Sequence, residues 1–539
     1  MKLKHLLSLT AAIFLFGTVL NSCKDASEGI VININTKVLS SPTAVQFVNA
    51  KKNATNQPTN FAVTIGGKDA ASVVTISNKT DFKATDGRIF LALKKGVVPT
   101  EANPVIFTVA AEVPGFAPAT KTFRITTDVA LAVTVPMVEY ANPVVGTAAK
   151  VQENVLVAGA TVAALTIQTP VSAEMSSPAT ISIAAGTQFL DADGKVINAT
   201  KLESRVINYG TDSQESLAAF PGGFEATNVI GQNGQAISGG VAFVTAGFIA
   251  IDMYAGGTEV KRFSKPLDVK MGISKQLVNP STGVAVKAGD VVPVWSLDDK
   301  TGQWAYESNA TIVAGSNGSL TASFSAIHLS YWNFDWTLSF CPNNLKLTFS
   351  APNYTTEQYR VVVESDKGYS SVTMMTITDL LSASFRVPSA NIRVVVTDKD
   401  FNVIAKTDYF TSCSQGTLAV KMPASTALDV VNVDLVLQGV CPNKPVNANV
   451  SAWVRLYEEG TSVAKAQVVY ATNGKVNIKV KNNTKYFVEA FYNNAWKSTS
   501  ILFTKTNFKF PGTITGTAVY IDATKTLNVT AQFPLPDCN

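Results

Sequence analysis

From about residue 30 onward, polar and apolar positions alternate with a period of two along most of the chain. Lys475-Val476-Asn477-Ile478-Lys479-Val480 is such a run; Asn482-Asn483 follows as a turn, and Lys485 to Tyr492 continues as an aromatic strand. Ile392 to Thr397 and Asn402 to Lys406 flank Asp398-Lys399-Asp400 in the same way. Period two sends successive side chains to opposite faces of a strand, and β-branched or aromatic runs bounded by Asn, Asp, Gly and Pro predict hairpins. No long helical periodicity interrupts them. Leu380–Leu381 or Gln152–Asn154 fit a short turn.

Many short strands without intervening helices predict an all-β fold of several tandem immunoglobulin-like β-sandwich domains. Val135-Pro136 to Asn142-Pro143 closes a first domain over 40–141, and a central β module follows over 150–336. The remainder reads as two related units, 337–425 and 436–539. Cys341-Pro342-Asn343 recurs as Cys441-Pro442-Asn443, an offset of 100 residues, and each is followed by a later cysteine, Cys413 or Cys538. A period of one sandwich length points to duplication. Four cysteines allow three pairings, and the repeat favours Cys341–Cys413 with Cys441–Cys538.

The start of the chain follows another pattern. Met1-Lys2-Leu3-Lys4 is a short basic start, Leu6 to Leu20 is apolar, and the stretch closes on Leu20-Asn21-Ser22-Cys23. This resembles a bacterial lipoprotein signal, in which a leucine and a small residue precede an acylated cysteine. The resemblance implies that 1–22 is removed, that Cys23 carries the lipid, and that 23–39 is a tether. Several acyl chains on one residue give stable membrane attachment. Lys24-Asp25-Ala26-Ser27-Glu28 resembles the export tags of Gram-negative lipoproteins that reach the outer face of the outer membrane.

The chain has 539 residues, 46% of them hydrophobic and 15% charged, with a formal charge of +5. That apolar content excludes a disordered chain, and the low charge argues against nucleic acid as a partner. With the leader go Lys2, Lys4 and His5, one of only two histidines. Imidazole chemistry in the mature chain would have to use His328, which sits in a strand pattern and reads as a structural, hydrogen-bonded histidine. No zinc ligand set, nucleophile elbow or phosphate-cradling glycine loop is present, so no metal or cofactor is implied. A glycosidase needs two carboxylates and survives that argument. Its candidates are Asp191, Asp193, Asp298, Asp299 and Asp335, of which the first four sit in predicted hairpin turns.

Four of the six tryptophans fall between Trp295 and Trp336, and Trp332, Phe334 and Trp336 alternate along one strand. On an exposed face such a stripe would stack on sugar rings; on a buried face it is sandwich core, the favoured reading. Val294-Trp295-Ser296-Leu297-Asp298-Asp299, Thr301-Gly302-Gln303-Trp304 and His328-Leu329-Ser330-Tyr331-Trp332-Asn333-Phe334-Asp335 together resemble the extracellular β module of cartilage intermediate layer proteins and related bacterial surface proteins. The resemblance covers about 180–336 and implies an extracellular structural or interaction domain without enzymatic activity. The sequence thus predicts a non-enzymatic, lipid-anchored outer-membrane protein, exposed at the cell surface, with a glycan or an extracellular matrix or host protein as ligand. A periplasm-facing structural subunit and a carboxylate-dependent polysaccharide hydrolase are the alternatives.

Overall fold

The computed structural model describes residues 32–35, 39–175, 178–315, 318–352, 354–424, 429–441, 446–492, 495–510 and 514–535. Strands dominate these residues, and they gather into two compact units. The larger comprises Leu39–Leu428 with Thr461–Val468; the smaller comprises the chain up to Val38, Asp429–Gly460 and Val469–Asn539. The chain is all-β, with its sheets grouped into several β domains.

Within the larger unit, the first domain stacks two four-stranded sheets. One is ordered Val73–Thr75, Arg88–Leu93, Ser40–Asn49, Leu131–Met137; the other is Lys83–Ala84, Phe61–Gly66, Val105–Ala111, Ala119–Ile125. Val45, Phe47, Val109 and the stacked pair Phe107 and Phe123 fill the space between them. The central module pairs a ten-stranded sheet with a six-stranded one. Its spine is Val241–Ala255, a fifteen-residue strand that is buried throughout except at half-buried Asp252 and Tyr254. Burial on both faces explains why this segment reads as a continuous apolar run and not as an alternation. The third domain places Leu345–Ser350 between Ser382–Phe385 and the parallel strand Thr417–Lys421, over a second sheet centred on Gln358–Ser365 and Asn391–Thr397. Cys341 and Cys413 are joined by a disulfide in this domain.

In the smaller unit, Val430–Val440 is flanked by Thr526–Pro534 in parallel and Lys475–Lys481 antiparallel. Ala452–Glu458, Thr484–Tyr492 and Ala495–Phe503 form most of the opposing sheet. Cys441 is disulfide-bonded, and its expected partner Cys538 lies outside the described residues, as does Cys23. One expectation needs correction. The predicted tether over 23–39 contains a strand, Ile32–Asn35, paired in parallel with Val446–Asn449. Its Ile-Asn-Ile-Asn alternation has strand periodicity, but four residues next to a leader are too few to separate from a linker. Of the two short turns expected, Leu380 sits in one, at φ 63°, whereas Gln152–Asn154 lies inside the Thr147–Val157 strand. Among the described residues an α-helical turn forms over Gln214–Ala218, capped by Ser213, whose hydroxyl accepts the Ser216 N–H.

Candidate functional site: the junction of the first two domains

The residues singled out by sequence chemistry are mostly engaged inside the central module. Trp332, Phe334 and Trp336 are 1%, 0% and 5% exposed. Trp332 packs against Phe324 and the His328 ring, and Trp336 donates its indole N–H to the Val291 carbonyl at 3.0 Å. The stripe is core, with no face left for a sugar.

His328 Nε2 lies 3.3 Å from Glu307 Oε1, which also accepts the Ser296 hydroxyl at 2.6 Å. Burial pushes the Glu307 carboxyl up, but the His328 and Ser296 hydrogen bonds outweigh it and hold it below the usual range. Ser296 donates to the carboxylate and not to the imidazole, so this trio lacks the nucleophile–base contact of a hydrolytic triad. Asp335 is fully buried; Thr245 and the Asn333 amide hydrogen-bond to it, and its Oδ1 has no partner among the described residues. Burial drives its carboxyl well above the ordinary range, against the Thr245 and Asn333 hydrogen bonds, and so favours the neutral form.

The predicted turns have a structural explanation. Asp191 Oδ1 accepts the N–H groups of Asp193 and Lys195, both at 2.9 Å. Asp298 Oδ1 accepts those of Lys300 and Thr301 at 2.9 and 2.8 Å. These are side-chain-closed turns in which the carboxylate satisfies backbone donors.

The second turn also joins two domains. Thr120 of the first domain donates its hydroxyl to the Asp299 carbonyl at 2.8 Å, and Thr108 donates to the Thr301 carbonyl at 3.1 Å. Gly302, at φ 67°, sits so close that a Cβ would collide with the Thr108 and Thr122 side chains. Tyr331 reaches back to the Pro118 carbonyl at 2.7 Å, and the Gly222 N–H donates to the Thr120 carbonyl at 3.0 Å. The Thr-Gly-x-Trp hairpin is therefore a docking element, and its glycine is required by close approach as well as by backbone conformation.

Beside it lies a crevice of about 20 Å³ lined by Asp252, Glu259, Lys261, Asp299, Ser330 and Tyr331. A space of this size suits one water molecule, not an organic substrate. Tyr140, at the end of the first domain, donates its hydroxyl to Asp252 Oδ2 at 2.8 Å. Burial pushes Asp252 up to about 7; Tyr140 opposes the shift, while Asp299, Glu112 and Glu259 add to it. Asp299 and Glu112 are themselves raised, chiefly by burial. Glu259 is paired with Lys261 and, at 3.6 Å, with Lys300. Among the described residues no group of His, Cys, Asp or Glu is arranged to hold a metal ion.

Asp252 belongs to a longer surface. Val151, Arg205 and Asp252 lie in one row across three strands, and Glu153, Glu203 and Tyr254 lie in the next. Arg205 stacks over the Tyr254 ring at 4.7 Å and pairs with Glu203 at 2.6 Å. Farther out, Val155 and Val157 are 70% and 63% exposed. Sequence reasoning missed this face because its members come from three separate strands. The one signal available was Asp252, an acid inside an otherwise apolar fifteen-residue strand.

No family model matches the chain, and no curated protein matches it. Among solved structures it is similar to a streptococcal ancillary pilin, at 13% identity over 42% of this chain and 93% of the pilin, with a TM-score of 0.13. It is also similar to GBS52, the minor pilin of Streptococcus agalactiae, at 10% identity over 36% of this chain and 98% of the other, TM-score 0.13. BcpA, the major pilin subunit of Bacillus cereus, matches at 9% identity over 91% of this chain and 98% of its own, TM-score 0.13. Likenesses at this level carry no functional argument.

Proposed function

We propose that this chain is a non-enzymatic, lipid-anchored cell-envelope protein, held in the outer membrane through Cys23, whose tandem immunoglobulin-like β-sandwiches bind a ligand at the cell surface. The observation that carries the reading is the junction. The hairpin that bears the sequence motif of an extracellular module serves to lock one β domain onto another, through the Thr120–Asp299 and Thr108–Thr301 hydrogen bonds. The groups that could have served catalysis, His328, Glu307 and Asp335, have protein partners in the central module. A body of this kind suits presentation of a surface more than turnover of a substrate.

The ligand is an extracellular matrix or host protein, or its glycan. With the tryptophan stripe in the core, the contact surface we favour is the exposed face carrying Val151, Val155 and Val157 beside Arg205 and Tyr254. Exposed apolar side chains next to an aromatic and an arginine have the composition of a protein-binding patch.

Protease shaving of intact cells tests the location, with lysed cells and a Cys23→Ala strain as controls. Cleavage on intact cells is expected; protection until lysis would place the domains in the periplasm and end the surface reading. Matrix proteins and glycans are then screened against wild type and a Val155→Glu/Val157→Glu variant. Loss of binding with unchanged thermal stability is expected, and binding that survives would exclude this face.

A further inference from the structure

The strand Ile32–Asn35 fixes which part of the smaller unit lies nearest the start of the chain. Ile32 is opposite Val446 and Asn35 opposite Asn449, in parallel. Val446–Asn449 runs antiparallel to the end of Val430–Val440, with Asn447 opposite Val440, and Val440 is opposite Pro534. Ile32 therefore enters the sheet at the pole that carries Val440, Cys441 and Pro534. The other pole carries Val430 opposite Lys481, and the turn between Ile521 and Thr526. An eleven-residue strand separates the two poles, a distance of ~35 Å.

A comparison within the chain sets this pairing apart. In the third domain, Leu345–Ser350 pairs in parallel with that domain's own last strand, Thr417–Lys421. In the smaller unit the same arrangement joins Val430–Val440 to Thr526–Pro534. The pairing of Ile32–Asn35 with Val446–Asn449 is an addition beside it.

We propose that the smaller unit docks on the membrane surface by its Cys441–Pro534 pole, drawn there by Ile32–Asn35. This rests on acylation of Cys23 as proposed above. Nine residues lead from Cys23 to Ile32, and nine extended residues span at most ~32 Å. The near pole cannot leave the headgroup region by more than that reach while the strand stays paired.

The test uses the full lipidated chain in vesicles of phosphatidylethanolamine and phosphatidylglycerol with acceptor-labelled headgroups. A fluorescent unnatural amino acid replaces either Pro534, at the near pole, or Ala523, at the far one. Energy transfer should be several-fold stronger from position 534; equal or reversed transfer overturns the proposal. An Ile32→Pro/Ile34→Pro variant should stay on the vesicles and lose the contrast, and a retained contrast would show that the strand does not orient the unit. Oxidation of an Asn33→Cys/Asn447→Cys variant should give a cross-link within one chain, whereas cross-linked dimers would mean that the strand is supplied by a second copy. Failure of acylation is read separately. The chain would then float free of the vesicles and incorporate no labelled palmitate, while the 33–447 cross-link still formed.

Discussion

The core of the central module and its junction with the first domain both hold a carboxyl group away from water, and they hold it differently. Asp335 is enclosed by its own module, with Asn333 and Thr245 as partners and one oxygen unpaired among the described residues. Asp252 is enclosed by two domains, and its partner Tyr140 comes from the other side of the joint. Burial raises both; the Thr245 and Asn333 hydrogen bonds oppose it at Asp335, and the Tyr140 phenol opposes it at Asp252, whose carboxyl reaches about 7. A buried acid inside one module bears on whether that module folds. An acid at a joint bears on whether two folded modules stay together.

The largest effect expected on this contrast comes from the core. Trp332→Ala should remove ~3–5 kcal/mol of stability from the central module, because the cavity between Phe324 and the His328 ring cannot collapse between two hydrogen-bonded sheets. Denaturant unfolding of the whole chain measures it. A loss below ~1 kcal/mol would mean that the indole is not a core element, and the sugar-stacking role would return.

Asp335→Asn should act next in size and in the opposite direction. A carboxyl raised on folding contributes its stability below the unfolded value near 4 and loses it as pH rises toward the folded value. The asparagine mimics the neutral acid and removes that loss. The variant should match wild type near pH 4 and exceed it by ~1–3 kcal/mol at pH 8. Equal stability at both pH values would show that Asp335 is not held neutral.

These two positions also show what was legible in the sequence. The Trp332-Asn333-Phe334-Asp335-Trp336 alternation announced a strand, and four tryptophans in 42 residues announced a core. It could not announce that both faces are buried, because that depends on a second sheet contributed by distant strands. The junction was visible in pieces. Asp298, Thr301 and Gly302 spell a hairpin turn, and the hairpin is there; its work against Thr108 and Thr120 is a contact across about 180–190 residues that no local pattern encodes. Ile32–Asn35 was lost for a related reason. Two alternations cannot be told from a linker until the partner strand, 414 residues later, is in place.

At the joint, Asp252→Asn tests the other half of the comparison. Wild type should hold its two domains most tightly near pH 4 and progressively less toward pH 7, where the folded carboxyl titrates. The asparagine variant should flatten that window and gain about 1–2 kcal/mol at pH 8, a value kept modest because the crevice also contains Lys261. Hydrogen exchange at Ala119–Ile125 and Trp304–Thr311, on the two sides of the joint, reads the effect without global unfolding. If Asp335→Asn flattened the same local window, the two sites would not be independent.

The smallest effect is the most discriminating. Tyr140→Phe removes the one hydrogen bond that crosses the joint to Asp252 and leaves the ring in place. A phenol donating to a neutral carboxyl contributes ~0.5–1.5 kcal/mol, and to an ionised one ~1.5–3 kcal/mol, less where water competes. The cost of the substitution should therefore grow with pH, near ~0.5 kcal/mol at pH 5 and about twice that at pH 8. Without the donor, Asp252 should also titrate higher than it does in wild type, since Tyr140 is what pulls it down against burial and the neighbouring Asp299, Glu112 and Glu259. A cost independent of pH would mean that Tyr140 holds the joint by packing alone, and Asp252 would then be a bystander at the interface. A cost that grows with pH, and disappears in the Asp252→Asn background, would make the pair a single coupled unit that spans two domains.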